Sequence, residues 1–401
     1  MVKAFCLGGA GKICSESVRD LAQFSDFERI TVADVNEPDG RAVVAACDDP
    51  RVDFLRVDIG DVDATVAALR GYDIVLDGTS IALNGRTTAL IAEAGCHAVN
   101  LNGFGEEDAA DAVSREHGRT CVPGFGMTPG ITQMMAMAAA DELETVDAVR
   151  VSHGAYRPIA FSRSIAETTM YEYDPALSSR VVFEDGRFVQ VPPFARPLEV
   201  SLPEPYGLTT QYIIPHAQTR TLARALRPKG VRLIEVRGTW PPRNMELVRA
   251  LYDWGFMRND RVAVGGGKAG VLDCVAEYLL NSREGTETEL YGYALHVQVT
   301  GTTDGRKWRH TLTHTHPASD GSVAGWEGLR AYTRNVGIPM SLGAQMIAAG
   351  TVGPTGVVTP EEAFDPDTVF VQLARRDIYV HHEAVELADG ITLATSARKY
   401  R

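Results

Sequence analysis

The first fourteen residues restrict the possible folds of this chain more than any other stretch. Met1 to Leu7 (MVKAFCL) is an apolar run suited to a buried strand, and it leads directly into Gly8-Gly9-Ala10-Gly11-Lys12-Ile13-Cys14. The next stretch, SESVRDLAQF, places Val18, Leu21, Ala22 and Phe24 at helical spacing. Strand, glycine turn and helix in this order are what a dinucleotide-binding turn requires. Gly9 and Gly11 permit the tight turn and let backbone N–H groups approach a pyrophosphate, while the helix N-terminus adds partial positive charge. Gly8, Lys12 and Ile13 complete the candidate phosphate-facing set. The third glycine of G-x-G-x-x-G falls on Cys14, which is small enough for close packing between helix and strand, though less so than glycine.

A second apolar run, Arg29-Ile30-Thr31-Val32-Ala33, ends in Asp34. There a second parallel strand presents a carboxylate to the adenosine ribose hydroxyls. Val35 and Asn36 bring no positive charge for a 2′-phosphate, and the carboxylate repels one, so NAD is favoured over NADP. The alternation continues with a helix over GRAVVAACD, a strand over 52–57, a helix over 62–69 and a strand over 73–76. Strands separated by helix-length segments indicate an α/β fold with a Rossmann-type, doubly wound parallel sheet. Asp58, at a carboxyl strand end, is placed either to accept a bond from the adenine amino group or to serve as a turn or cap residue. Thr79 and Ser80 follow the fourth strand and border the nicotinamide half of the cofactor. A helix over 86–94 and a further strand lead to Asn102, a candidate pocket residue. Pro129 is expected just inside the start of an apolar helix, GITQMMAMAAADEL.

From about Val149 the texture changes to strands. The clearest signal is a hairpin, with 291–302 and 307–315 flanking Asp304-Gly305. Pairing Thr303 with Arg306 puts Leu295, Val297 and Val299 on one face with Trp308, His310, Leu312, His314 and His316. Three histidines invite a metal reading, but no carboxylate shares the strand face, so no metal site is expected. Helical spacing returns over 329–334 and 340–349, with a break expected at Gly337 and Pro339.

Composition excludes several classes of partner. A formal charge of −13 argues against nucleic acid or an anionic membrane surface. Six cysteines without a C-x-x-C pair, and an N-terminus already used as a strand, point to a reduced, cytoplasmic protein. The uncharged stretch from Cys121 to Ala140 is interrupted by Pro123, Gly124, Gly126, Pro129 and Gly130, so it makes a poor membrane span.

Four stretches in consistent order, GGAGKICSESVRDL, ADVN, GFGMTPGITQMMA and PMSLGAQMIAAGTVGPTGVVTPEEAF, resemble the saccharopine dehydrogenase-like family. The resemblance implies an NAD(P)-dependent oxidoreductase that moves a hydride between nicotinamide and a carbon bearing nitrogen, in an amino acid, secondary amine or imine. It also implies three parts: a nucleotide-binding domain over 1–128, an α+β domain with an open mixed sheet over 129–328, and a segment over 329–401 that returns to the first domain. In such proteins the central sheet covers the cleft and often mediates a homodimer. The family builds its substrate pocket around 209–220. There His216 is the first candidate acid/base, because an unperturbed imidazole titrates near neutral pH. Arg220 is the candidate carboxylate clamp, with Arg237 as an alternative, and Tyr171 or Tyr173 as alternative proton donors. An enzyme for carbonyl or alcohol substrates and a non-enzymatic NAD-binding regulator are the competing readings.

Overall fold

In the computed structural model, which describes residues 1–102, 108–258, 260–388 and 391–400, the N-terminal apolar run forms β1 (Lys3–Leu7) and the helix after the glycine turn is α1 (Cys14–Phe24). The alternation continues through β2 (Arg29–Asp34), α2 (Glu37–Cys47), β3 (Val52–Arg56), α3 (Val62–Leu69), β4 (Ile74–Asp77), α4 (Asn84–Ala94), β5 (His97–Asn100), α5 (Asp108–Glu116) and β6 (Thr120–Val122). Among the described residues these strands form one parallel sheet in the order β6-β5-β4-β1-β2-β3, with β17 (Gly356–Val357) beside β6. The strand order reverses between β1 and β4, so their carboxyl ends flank the switch point where such sheets bind ligands. The central strands β1 and β4 are almost wholly buried because both faces are covered, whereas the edge strand β3 carries Asp53 and Arg56 and is partly exposed. Phe5, Leu7, Ala33, Val75 and Ala98 pack with Val66, Leu69, Leu90 and Ile91, and by alternation the buried Ala4, Cys6, Val32, Ile74 and Leu76 fill the opposite face.

The chain divides into two units, Met1–Met137 with Thr333–Arg376, and Ala138–Tyr332 with Asp377–Arg401. The C-terminal segment 329–401 is therefore shared, and its last strands extend the sheet of the second unit. The break expected at Gly337 and Pro339 is absent, since one helix, Arg330–Ala348, runs through both. Proline inside a helix costs about 3 kcal/mol on propensity alone, and packing overrides that cost here. Gly337 lies so close to α1 that a Cβ would sit 2.6 Å from the Ile13 carbonyl oxygen, and Ser17 Oγ donates to the Gly337 carbonyl at 2.7 Å. Nearby, buried Asp20 on α1 accepts from Arg376 Nε and Ser341 Oγ, each at 2.6 Å.

The second unit is built on a mixed sheet. Its strands are β7 (Thr145–Tyr156), β8 (Val181–Glu184), β9 (Arg187–Gln190), β10 (Leu198–Leu202), β11 (Gly207–Ile213), β12 (Leu233–Thr239), β15 (Gly292–Thr303), β16 (Arg306–Thr315), β18 (Tyr379–Ala388) and β19 (Ile391–Lys399). β13 (Arg261–Val264) and β14 (Gly267–Gly270) form a separate hairpin. The main order is β10-β11-β12-β7-β15-β16-β18-β19, with β8 and β9 branching from β12, and only β12 and β7 run parallel among the described strands. The hairpin pairs Thr303 with Arg306 as expected, and Asp304 and Gly305 both take positive φ, 52° and 71°. Two successive left-handed residues give a turn whose twist matches that of the strands. The apolar helix is α6 (Ile131–Asp141), and Pro129 lies two residues before its start rather than inside it. No described helix is long and apolar enough to cross a membrane.

Candidate functional site

The glycine turn is held against β2. Gly8 and Gly9 donate to the Ala33 carbonyl at 2.8 and 3.2 Å, and Gly11 donates to the Gly8 carbonyl at 3.0 Å. Gly8 has φ +70°, and a Cβ at Gly9 would lie 2.7 Å from the Cys6 carbonyl oxygen, so neither position accommodates a side chain readily. Ile13 occupies the N-cap of α1 and supplies no side-chain acceptor, which suits a helix N-terminus meant to face a phosphate. Asp34 is half-buried; its Oδ2 accepts from Ala10 N–H at 3.1 Å and its Oδ1 from Asn36 N–H at 3.0 Å. The carboxylate expected to meet a ribose is thus fixed to the turn expected to meet the pyrophosphate.

Cys14 departs from the glycine pattern, and Gly78 compensates. A Cβ on Gly78 would lie 2.5 Å from Cys14 Cβ, so the glycine needed for close approach has moved to the end of β4. Burial raises the Cys14 thiol well above the ordinary cysteine range, which makes it a packing residue and not a nucleophile.

The other polar strand ends lie on the same edge. Asp77 is buried and accepts from Thr79 N–H at 3.0 Å, Thr79 Oγ1 at 2.6 Å and the Thr87 hydroxyl. Burial raises its carboxyl, and these hydrogen bonds oppose the rise. Ser80 follows in the same loop. Asn100 Oδ1 accepts from Asn102 and Gly124 N–H groups, at 2.9 and 3.2 Å, and leaves Asn102 Oδ1 buried without a hydrogen-bond partner. Asp58 is exposed and accepts from Gly60 N–H at 2.8 Å, while Asp61 caps α3. Sequence reasoning missed Arg56, the register partner of Asp34 on β3 and exposed at the same edge. Its adjacency follows from strand pairing, which no local spacing reveals.

In the second unit, His216 belongs to a connected group of rings and charges. His216 and His153 have ring centroids 5.9 Å apart, His153 stacks on Tyr293 at 5.7 Å, Tyr293 stacks on Tyr332 at 5.5 Å, and the Arg157 guanidinium lies 5.6 Å from the Tyr332 ring. His153 is buried with no hydrogen-bond partner at either ring nitrogen, and Arg157 Nε is likewise buried without one. Such atoms need a partner from outside the chain, a water or a ligand. Burial, followed by the neighbouring His216 and Arg157, pushes the His153 imidazole well below its ordinary range. At the end of the helix Arg163–Tyr171, burial pushes Glu172 up to about 7 against the pull of Arg157 and Arg180. A carboxyl near 7 is an acid/base candidate. His153, Arg157 and Glu172 lacked a sequence signal because only the tertiary fold sets His153 beside His216 and Arg157 near Tyr332 and Glu172.

Burial pushes His216 down to about 4, so its imidazole is neutral at pH 7, unlike the half-titrated group expected from its ordinary value. Unfolding returns it to about 6.5, so below that pH the unfolded chain binds more protons. The resulting stability is complete above pH 6.5 and is lost as pH falls through 4, by about 3 kcal/mol. Thermal melts from pH 7 to 4 are expected to show this acid-side loss reduced in His216→Ala, and parallel profiles for both proteins would refute it.

The structure does not bring Arg220 into the group. Arg220 is exposed, with its guanidinium 4.7 Å from the Phe188 ring. Arg237 is buried but already engaged, since Nη2 donates to Glu235 Oε1 at 2.8 Å and Nη1 to the Arg196 carbonyl. Tyr171 is exposed, while Tyr173 packs between Phe194 and Trp240. Of the hairpin histidines, His316 donates from Nδ1 to the Pro317 carbonyl at 2.7 Å, and its Nε2 accepts from Tyr293 N–H at 3.1 Å; His314 Nδ1 accepts from Leu295 N–H at 3.1 Å. Those lone pairs are used within the sheet. His310 instead meets a carboxylate, Glu142, which arrives from the turn after α6 and not from the strand face.

Residues 5–122 match the saccharopine dehydrogenase NADP binding domain, and residues 126–378 match the saccharopine dehydrogenase C-terminal domain. Among solved structures, an apo saccharopine dehydrogenase (L-Glu forming) from Saccharomyces cerevisiae is similar at 15% identity and TM-score 0.68, covering 99% of this chain and 100% of that one. A homospermidine synthase from Legionella pneumophila in complex with NAD is similar at 13% identity and TM-score 0.58, covering 93% and 89%. At these identities the structural likenesses establish the fold.

Proposed function

Because the chain belongs to the saccharopine dehydrogenase family, it is an NAD(P)-dependent oxidoreductase acting on a carbon–nitrogen bond, and we propose that it uses NAD to oxidise or form that bond in a small amino acid, secondary amine or imine. The carrying observation is the tie between Asp34 Oδ2 and Ala10 N–H, which places a carboxylate and an uncapped helix N-terminus around one turn. That arrangement fits a dinucleotide. When bound, the nicotinamide supplies the hydride acceptor or donor. Gly8, Gly9, Gly11, Lys12 and Ile13 would hold the pyrophosphate, Asp34 the ribose and Asp58 the adenine, with Thr79, Ser80 and Asn102 bordering the nicotinamide half. In this reading neutral His216 accepts the proton released from the substrate nitrogen.

The test is a panel of amino acids, secondary amines and alcohols with NAD, followed at the nicotinamide absorbance. Turnover with an amine or amino acid is expected. Turnover with alcohols alone would favour the carbonyl/alcohol enzyme, and tight NAD binding with no turnover on either class would favour the regulator. Arg56 beside Asp34 supports a second reading, NADP as cofactor. Asp34→Ala is expected to weaken NAD binding by about 10- to 100-fold through lost charge-assisted bonds; unchanged affinity would remove Asp34 from the site. NADP preferred by the wild type, and weakened by Arg56→Ala, would favour the second reading. The protein is proposed to act as a cytoplasmic homodimer, in keeping with its six free cysteines for the reduced compartment. A monomer in light scattering would overturn the dimer.

A further inference from the structure

We propose that Glu142, His310 and His382 bind one divalent transition-metal ion of the zinc class. The three residues come from three segments of the second unit. His310 pairs with Ala384 across β16 and β18, and Leu312 pairs with His382, so the two histidines are diagonal neighbours on one sheet face. His310 Nδ1 lies 2.9 Å from His382 Nε2. Glu142 enters over that face on the turn before β7, with its backbone held by Thr303 Oγ1 donating to its carbonyl at 2.9 Å and Glu144 N–H donating to the Thr302 carbonyl at 2.9 Å. Glu142 Oε2 lies 3.6 Å from His310 Nδ1. Donors about 2.0–2.1 Å from a tetrahedral ion stand about 3.4 Å apart, and these two separations bracket that value.

Two features favour an ion over a self-contained hydrogen-bonded pair. The histidines share one proton between Nδ1 and Nε2, yet His382 Nδ1 remains buried with no hydrogen-bond partner, 3.9 Å from Glu142 Oε1. With Nε2 on the metal, Nδ1 is the nitrogen that carries the ring proton. Glu142 is also partly exposed, at 37% for its side chain, which leaves a path for the ion and a coordination position for water. Two imidazoles and a carboxylate suit zinc better than calcium or magnesium, which take oxygen ligands. The exposed Arg398 pairs with Glu142 Oε1 at 2.5 Å, so it competes with the ion for the carboxylate. The bound ion would tie the turn before β7 to β16 and β18, and would raise thermal stability as its concentration rises.

The test titrates zinc(II) chloride alone into the chelator-stripped full chain against a chromophoric competitor. One saturable site per chain is expected. Glu142→Gln and His382→Gln should each weaken it by more than about tenfold, and Arg398→Ala should tighten it. Cobalt(II) in place of zinc should give a visible absorption band that is lost in both ligand variants. If His382→Gln does not fold, Glu142→Gln, a partly exposed position, decides alone. Absence of saturable zinc binding, or wild-type affinity in Glu142→Gln, overturns the proposal.

Discussion

His216→Ala is expected to lower turnover by about 100- to 10,000-fold, the usual contribution of a placed acid/base, while leaving NAD affinity unchanged. The imidazole is buried beside His153, and burial holds it neutral at pH 7 with its titration near 4. It is therefore unprotonated at pH 7 and able to accept a proton from a substrate nitrogen, and once protonated it would give that proton up readily. NAD affinity should persist because every residue assigned to the nucleotide belongs to the first unit, whereas His216 belongs to the second. Measuring kcat together with NAD binding by nicotinamide fluorescence separates the two effects. Normal turnover would remove His216 from the mechanism and leave Glu172, near 7, as the stronger acid/base candidate.

The second large effect concerns stability. Arg376→Ala should destabilise the first unit by about 3–5 kcal/mol, because it leaves the Asp20 carboxylate buried without its cation. The pair is almost wholly enclosed, with side-chain exposures of 0% and 3%, and Arg376 also lies 4.2 Å from the Phe24 ring. For a unit of this size the loss corresponds to a drop of about 10 °C in its melting midpoint. Replacing both Asp20 and Arg376 by leucine should recover part of the loss, since no unpaired charge then remains. A midpoint within about 2 °C of wild type in Arg376→Ala would show that the carboxylate is solvated by some other route.

The nucleotide edge was legible because its signals are local. An apolar strand, glycines at the turn, helical spacing and a carboxylate at the next strand end all fall within 34 residues, and a doubly wound sheet brings every carboxyl strand end to one edge. The hairpin was legible for the same reason, since Asp304 and Gly305 specify the turn and period-2 alternation specifies the faces. The break expected at Gly337 and Pro339 failed because helix propensity is a weak term against tertiary contact. Gly337 is there to let Ile13 approach, which a linear reading takes for a helix breaker. Arg220 stands apart from the His216 group for a related reason, since nothing near it in the chain shows whether an arginine on an amphipathic helix lies beside those rings or, as here, over the exposed Phe188 ring.

The sequence by itself determined the α/β class, the parallel sheet, the glycine turn with Asp34 and the family, because these depend on periodicity and on residue types a few positions apart. Only the tertiary structure decided which residues stand together in the second unit. His153, His216, Tyr293 and Tyr332 lie up to 179 residues apart and Glu142, His310 and His382 up to 240, and only the folded second unit made them neighbours. It also decided their protonation, because the desolvation that holds His216 neutral is a property of the packed interior. The glycine turn shows both sides of this division: its pattern is written in residues 8–14, but the glycine missing at Cys14 is supplied by Gly78, which the fold places against it.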